Sequence, residues 1–415
     1  MVTGRLRRRG DAETQRAATL ELFYDLVFVF SITQVSHLLL EHLTWTGVGQ
    51  AAMILLAVWW SWNYTTWATN ELNPETNPVR LLLIALMLGS LLMAIAIPQA
   101  FGDRGLLFAA AYLAIQVGRH AFLTFATAER RSIEREQAGR ILAWFLFAGV
   151  FWIAGGLADG GLRAWLWLVA LALDYVAPLL LFPLPGRPRL GSGSWRLATG
   201  HFVERFGLFV IAALGETIIL TGATTAGHEL DAGTIAAFVS AFAGTAALWW
   251  LYFTSTRELG ERSLRGEANR TGRARDIYTY GHVVIVAGVI LTAVGDELII
   301  AHPFDPLESA ARTVVVAGPV LFLLAQLALQ LRVTRRAGYS RPAAIVACMA
   351  LGLFGGSLPA LLVGAAQVVV LIVVALLDET CRVLKPAHPC FGPGGTIAEG
   401  IFRWHSQRST MKAGY

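Results

Sequence analysis

The chain has 415 residues, 55% of them hydrophobic and 15% charged, with a mean hydropathy of +0.57 and a formal net charge of +5 at pH 7. Apolar runs of about 20 residues recur from end to end, each long enough to cross roughly 30 Å of hydrocarbon. This excludes a soluble catalytic or nucleic-acid-binding domain as the frame, and the sequence carries no phosphate loop, dinucleotide fingerprint or nucleophile elbow.

The basic segment 1–19 leads into the first apolar run without a small-residue cleavage site, so that run is expected to be retained. Breaks at polar and Pro/Gly-rich stretches predict twelve transmembrane helices, near 20–40, 48–69, 78–100, 105–127, 141–158, 163–184, 202–222, 233–256, 279–300, 311–331, 342–357 and 360–379. The fold class is all-α, a polytopic protein whose partner is the lipid bilayer. With both termini placed in the cytoplasm, only Arg104, Arg163 and Arg312 of the 33 Lys and Arg residues fall in outer segments, and Arg119 and Arg205 fall within helices. That asymmetry is what the positive-inside rule predicts. The surplus positive charge is read as membrane-surface anchoring, with no nucleic-acid partner. Cys348, Cys381 and Cys390 show no metal-ligand spacing, and no cofactor is inferred.

Short stretches recur in order. WWSWNYTT at 59–66 resembles WWLYFTST at 249–256, ELF at Glu21 resembles ERF at Glu204, and matches follow around Gly89 and Gly288 and at Asp174 and Asp378. These predict two parallel six-helix repeats, 20–184 and 202–379, joined by a cytoplasmic linker, 185–201, and followed by a cytoplasmic tail, 380–415.

The intramembrane polar groups are the candidate site. Glu21, Asp25, Gln34 and His37 are read as one polar stripe along helix one. Helix seven repeats the layout with His201, Glu204 and Arg205 at its inner end and Glu216 toward the outer one. Arg119, His120 and His282 are expected to join the inner layer, Arg119 and Arg205 neutralising Glu21, Asp25 and Glu204. Asp296 and Glu297 lie near the outer end of helix nine, and Asp174 sits within helix six. Such groups facing lipid would cost several kcal/mol, so they must face protein, water or an ion. The tryptophans of helix two are read as packing residues.

LELFYDLVFVFSITQVSHLL and HFVERFGLFVIAALGETIILTG resemble the bacterial low temperature requirement A membrane proteins, which pair an L-E-L-F-x-D-L-x-F-V motif with an E-R-x-G-L-x-x-I-x-x-L-G-E motif. Glu21, Phe23, Asp25 and Phe28, then Glu204, Arg205, Gly207, Gly215 and Glu216, stand at the motif positions. The resemblance implies a bacterial inner-membrane location and leaves the chemistry open. FYDLVFVFSIT at 23–33 is also similar to the first-helix motif of the six-helix-repeat potassium channels, with Tyr24 in place of their serine. The expected function is a polar pathway for a monovalent cation, a proton or a small solute. The alternatives are an enzyme acting on lipid or quinone, with Asp174 or Glu216 as general acid/base, and a scaffold or sensor without transport.

Overall fold

The computed structural model describes Leu6 and residues 17–126, 132–188, 197–264 and 270–384. Most of the basic N-terminal segment, the middle of the 185–201 linker and the tail beyond 384 lie outside the described residues.

Helix dominates what is described. In chain order the elements are α1 Thr19–Glu41, α2 Trp45–Glu71, α3 Asn77–Ala96, α4 Gly105–Ala121, α5 Ser132–Leu157, α6 Gly160–Val176 and α7 Thr199–Ala226. They continue with α8 Ala232–Leu251, short α9 Arg257–Leu264 and α10 Arg270–Ala274, then α11 His282–Ala301, α12 Ser309–Thr334, α13 Ser340–Phe354 and α14 Ala360–Leu384. π-helical turns at Phe122–Ala126, Tyr252–Thr256 and Arg275–Gly281 extend α4 and α8 and lead into α11.

Among the described residues, ten helical stretches are long and apolar enough to cross a membrane. Each of the twelve expected stretches contains helix, though 163–184 is helical only to Val176, and α2 and α6 are not among those ten. Helix α6 has 17 residues, after which the chain turns through Leu181 and Phe182, both with left-handed backbone at φ 60° and 51°. Helix α2 is long but polar toward its C-terminal end, where Ser61, Asn63, Thr65, Thr66, Thr69 and Asn70 are all buried. Its apolar count is low because protein, not lipid, surrounds it.

Local chemistry explains the helix starts. Thr44 accepts from the Gly47 amide at the start of α2, and Asp231 accepts from the Thr234 amide at the start of α8, each satisfying a first-turn N–H that has no partner within its helix. Helix α5 begins nearer the N-terminus than its apolar pattern suggests, because SIEREQAGR is itself helical and carries the Glu136–Arg140 pair one turn apart.

Packing follows one order twice. Helix α1 lies on α2 and α3, α3 on α4, α4 on α5, α5 on α6, and α6 returns to α2. In the second set α7 lies on α8 and α11, α11 on α12, α12 on α13, α13 on α14, and α14 returns to α8. The sets meet where α1 touches α7 and α11 and where α2 touches α7. The α11–α12 contact is the closest kind: a Cβ on Gly288 would sit 2.7 Å from the Phe322 nitrogen, and one on Gly318 would sit 2.6 Å from the Thr292 nitrogen. In lipid, where tails are as apolar as leucine, backbone approach of this kind supplies the dispersion energy that holds helices together.

Candidate functional site

The starts of α1 and α7 meet, and the meeting is charged. Glu21 and Asp25, one turn apart on α1, are buried against His201 and Arg205, one turn apart on α7. Arg205 donates to Asp25 Oδ1 at 2.7 Å and lies 3.4 Å from Glu21. Trp62 of α2 donates to the same Asp25 oxygen at 2.7 Å. Asn70 fixes the imidazole: its Oδ1 accepts from the Ala198 amide at 2.8 Å, which turns its NH2 toward the Ala198 carbonyl and His201 Nδ1. Nδ1 is therefore an acceptor, and the ring donates from Nε2 to Glu21 at 2.9 Å. Asp25 Oδ2, also buried, has no hydrogen-bond partner. Glu204 stands at the edge, half-buried, accepting from the Ala17 amide at 3.1 Å.

Other expected members are elsewhere. Arg119 does not reach the α1–α7 carboxylates; it projects between α2 and α4, donating to Thr65 Oγ1 at 3.0 Å and the Ser61 carbonyl at 3.3 Å. Its neighbour His120 bonds the Gln116 carbonyl at 3.0 Å and packs on Tyr64 and Phe145. His282 is satisfied away from any carboxylate: Nδ1 meets the Ile277 carbonyl at 3.0 Å and Nε2 meets the Tyr252 hydroxyl at 2.9 Å. Asp174 accepts from Tyr112 at 2.7 Å and Trp152 at 3.1 Å, both neutral donors.

The single stripe on helix one is also corrected. Nine residues separate Asp25 from Gln34, and at 3.6 residues per turn that is about two and a half turns, which sets them on opposite sides. Gln34 is accordingly half-buried and His37 exposed, while Asp25 points inward. The outer end nevertheless forms its own layer across three helices. Thr33 and His37 of α1 lie beside Glu216 of α7, and His37 and Thr224 lie beside Glu297 of α11. Asp296 is buried next to it. Glu216 Oε1, Asp296 Oδ2 and Glu297 Oε2 have no hydrogen-bond partner.

Sequence reading missed Trp62, Asn70 and Tyr112. Trp62 and Asn70 resemble ordinary packing and helix-end residues in a sequence; only the fold brings them to Asp25 and His201. A signal existed for Asn70: Asn63 and Asn70 are seven apart, about two turns, and so share a face. Asn63 and His120 line a cavity of 90 Å³ that also meets Trp67, Phe182, Arg275 and Thr279, where α2, α4 and α5 face the turn before α11. Two of the π-helical turns and the left-handed Leu181 and Phe182 form part of its wall.

The family model for the bacterial low temperature requirement A protein (LtrA) matches residues 16–376. The chain belongs to the LtrA family. A relative in Rhizobium meliloti (strain 1021), the uncharacterized protein RA0937, is 37% identical over 316 residues, covering 76% of this chain and 77% of that protein. No solved structure matches. Family membership and the apolar helices together make this a multi-pass integral membrane protein of the bacterial LtrA family. The match contains both ends of the α1–α7 contact.

Proposed function

We propose that this LtrA-family protein provides a path across the inner membrane for a proton or another monovalent cation along the contact of α1, α7 and α11, small polar solutes being the wider class. One observation carries the reading. Asp25, Glu216, Asp296 and Glu297 each keep one buried oxygen without a hydrogen-bond donor, and all four lie on these three mutually packed helices. Asp25 holds Arg205 on its other oxygen, whereas Glu216, Asp296 and Glu297 have no ion pair among the described residues. A buried carboxylate without one is protonated, held by a neutral donor, or turned to an ion or water, and the first and last are states of a cation relay. The carboxylates form two layers, at the inner and outer ends. Between them lie buried apolar residues, Phe28 and Ile32 on α1 and Phe209 and Ala213 on α7, which suit a closed path.

The wider architecture belongs to the same proposal. Twelve spans with cytoplasmic termini accord with the placement of Lys and Arg, and two parallel repeats accord with the matched packing order of the two helix sets. Reporters fused after Lys385 should be active only in a cytoplasmic format, and tags at 42–44 and 227–231 only in a periplasmic one.

Flux through purified protein in liposomes, assayed ion by ion, tests the pathway. Asp25→Asn keeps an oxygen for Trp62 and Arg205 and removes the charge. Glu21 remains as a counter-charge for Arg205, so the variant should still fold, with a lowered melting temperature, and its flux per folded protein should fall to the background of empty liposomes. Wild-type flux in the variant, or no flux of any ion by the wild type, sinks the reading.

A further inference from the structure

We propose that a halide-sized anion binds beside Arg119, between α2 and α4. The site is separate from the carboxylate layers and stands whether or not they form a pathway.

Arg119 is completely buried, and a guanidinium does not shed its proton inside a protein. Its hydrogen-bond partners are neutral: Thr65 Oγ1, the Ser61 carbonyl and Gln116 Oε1. The rings of Tyr64 and Phe145 lie 5.6 Å and 6.0 Å from the guanidinium carbon, adding cation–π attraction but no counter-charge. Among the described residues no carboxylate comes within ion-pair distance of it, whereas Arg205 has Asp25 and Glu21 and Arg341 has Asp378. Desolvating an unpaired charge costs several kcal/mol. Donors without acceptors surround it. Arg119 Nε, Gln116 Nε2 and Ser61 Oγ are all buried and unpartnered, and all belong to residues in hydrogen-bond contact at the guanidinium. Buried N–H and O–H donors beside a fixed positive charge are the groups to which an anion would bond.

The second helix set holds a buried arginine with similar neighbours, Arg341, on α13 where Arg119 is on α4. Arg341 donates to Gln326 of α12 and to Ser255, which holds the same place in WWLYFTST as Thr65 holds in WWSWNYTT. Arg341 also holds Asp378, at 2.6 Å and 3.3 Å. Asp174, the sequence match of Asp378, instead takes its bonds from Tyr112 and Trp152. The first set therefore has the cation, the hydroxyl and the glutamine without the carboxylate, and the bound anion takes the carboxylate's part. Ser61, Thr65, Gln116 and Arg119 are all fully buried, which favours a monatomic ion over a carboxylate-bearing solute.

The test uses the full-length protein in lipid nanodiscs or crystals. Bromide should give an anomalous difference peak within hydrogen-bond distance of Arg119 Nε. Chloride replacing gluconate at constant ionic strength should raise the melting temperature saturably. Ser61→Ala keeps the charge and removes one donor, and should weaken half-saturation about tenfold, the equivalent of one hydrogen bond to a charged group. Arg119→Gln should abolish the chloride effect if it folds, and Ser61→Ala keeps the test open if it does not. Density that fits only water at Arg119, no anomalous peak there, or a chloride response that Ser61→Ala leaves unchanged overturns the proposal.

Discussion

Trp59 and Trp60 are sealed in the interior, whereas Trp249 and Trp250, in the same two places of the second Trp-Trp segment, are each 45% exposed. The helices that carry them differ in the same way. Helix α2 packs on α1, α4, α6 and α7, and holds buried serine, threonine and asparagine side chains. Helix α8 packs mainly on α14, with α7 and α11 beside it, and reads as an apolar membrane span. The two Trp-Trp helices thus differ in place: α2 is an inner helix whose polar groups are met by protein, and α8 lies at the rim, where its indoles meet the surroundings. A polar helix in such a bundle is the more deeply placed one, since lipid would not tolerate its side chains.

The sharpest contrast is between Glu21 and Glu204, the matched glutamates of ELF and ERF. Glu21 is wholly buried against His201 and Arg205, while Glu204 is half-buried at the edge. Arg205→Met leaves both Glu21 and Asp25 without their cation and should destabilise the protein by about 3 to 5 kcal/mol, the usual cost of breaking a buried pair from one side. Glu204→Gln should cost less than about 1 kcal/mol, as for a group away from buried networks. Reversible unfolding in mixed micelles measures both. Equal losses would mean that the two glutamates are equivalent and that the contrast is an accident of side-chain placement.

Much of this was legible before any fold was known. The order of helices followed from apolar runs, because bilayer thickness sets their length whatever their partners. The meeting of Glu21 and Asp25 with Arg205 was also legible, because charges within apolar segments have few other places to go. Arg119 was not. Two intramembrane arginines and three carboxylates invite one network, and only the packing of α4 on α2 shows that Arg119 faces hydroxyl, amide and aromatic groups instead. Nor was the break in the helix-one stripe visible in composition; it is a matter of helical phase, and phase decides which side of α1 meets α7. Trp62 escaped notice because an indole is ordinary in a membrane sequence, and its single N–H becomes specific only when Asp25 lies 2.7 Å away.

A smaller effect probes the tryptophans directly. Trp59 donates to the Thr279 carbonyl at 2.8 Å and packs on Phe206 and Phe209. Trp59→Phe removes that buried donor and leaves the carbonyl unmet, for a loss of about 1 to 3 kcal/mol. Trp249→Phe removes an indole at the rim and should change stability by less than about 0.5 kcal/mol. The same unfolding measurement decides. A comparable loss at Trp249 would place α8 inside an assembly of several copies, where its indoles are covered.

The smallest expected difference lies at the two caps that open α2 and α8. Thr44 is a neutral acceptor, so its bond to the Gly47 amide does not respond to acid. Asp231 is charged, and the Thr234 amide, bonded at 2.7 Å, holds its carboxyl below the ordinary value of 3.8. A folded-state value lower than the unfolded one means that the carboxylate form stabilises the fold above the unfolded value. That contribution is lost as pH falls through the lower, folded value. Hydrogen-exchange protection of the Thr234 amide, normalised to that of Gly47, should therefore fall as pH is lowered from about 6 to about 3. Asp231→Asn keeps an acceptor at every pH and should flatten the dependence without removing the protection, since asparagine caps a helix about as well as aspartate. If the ratio stays constant in the wild type, the first turn of α8 is held by its packing against the rest of the bundle, and the two helix starts are equivalent after all.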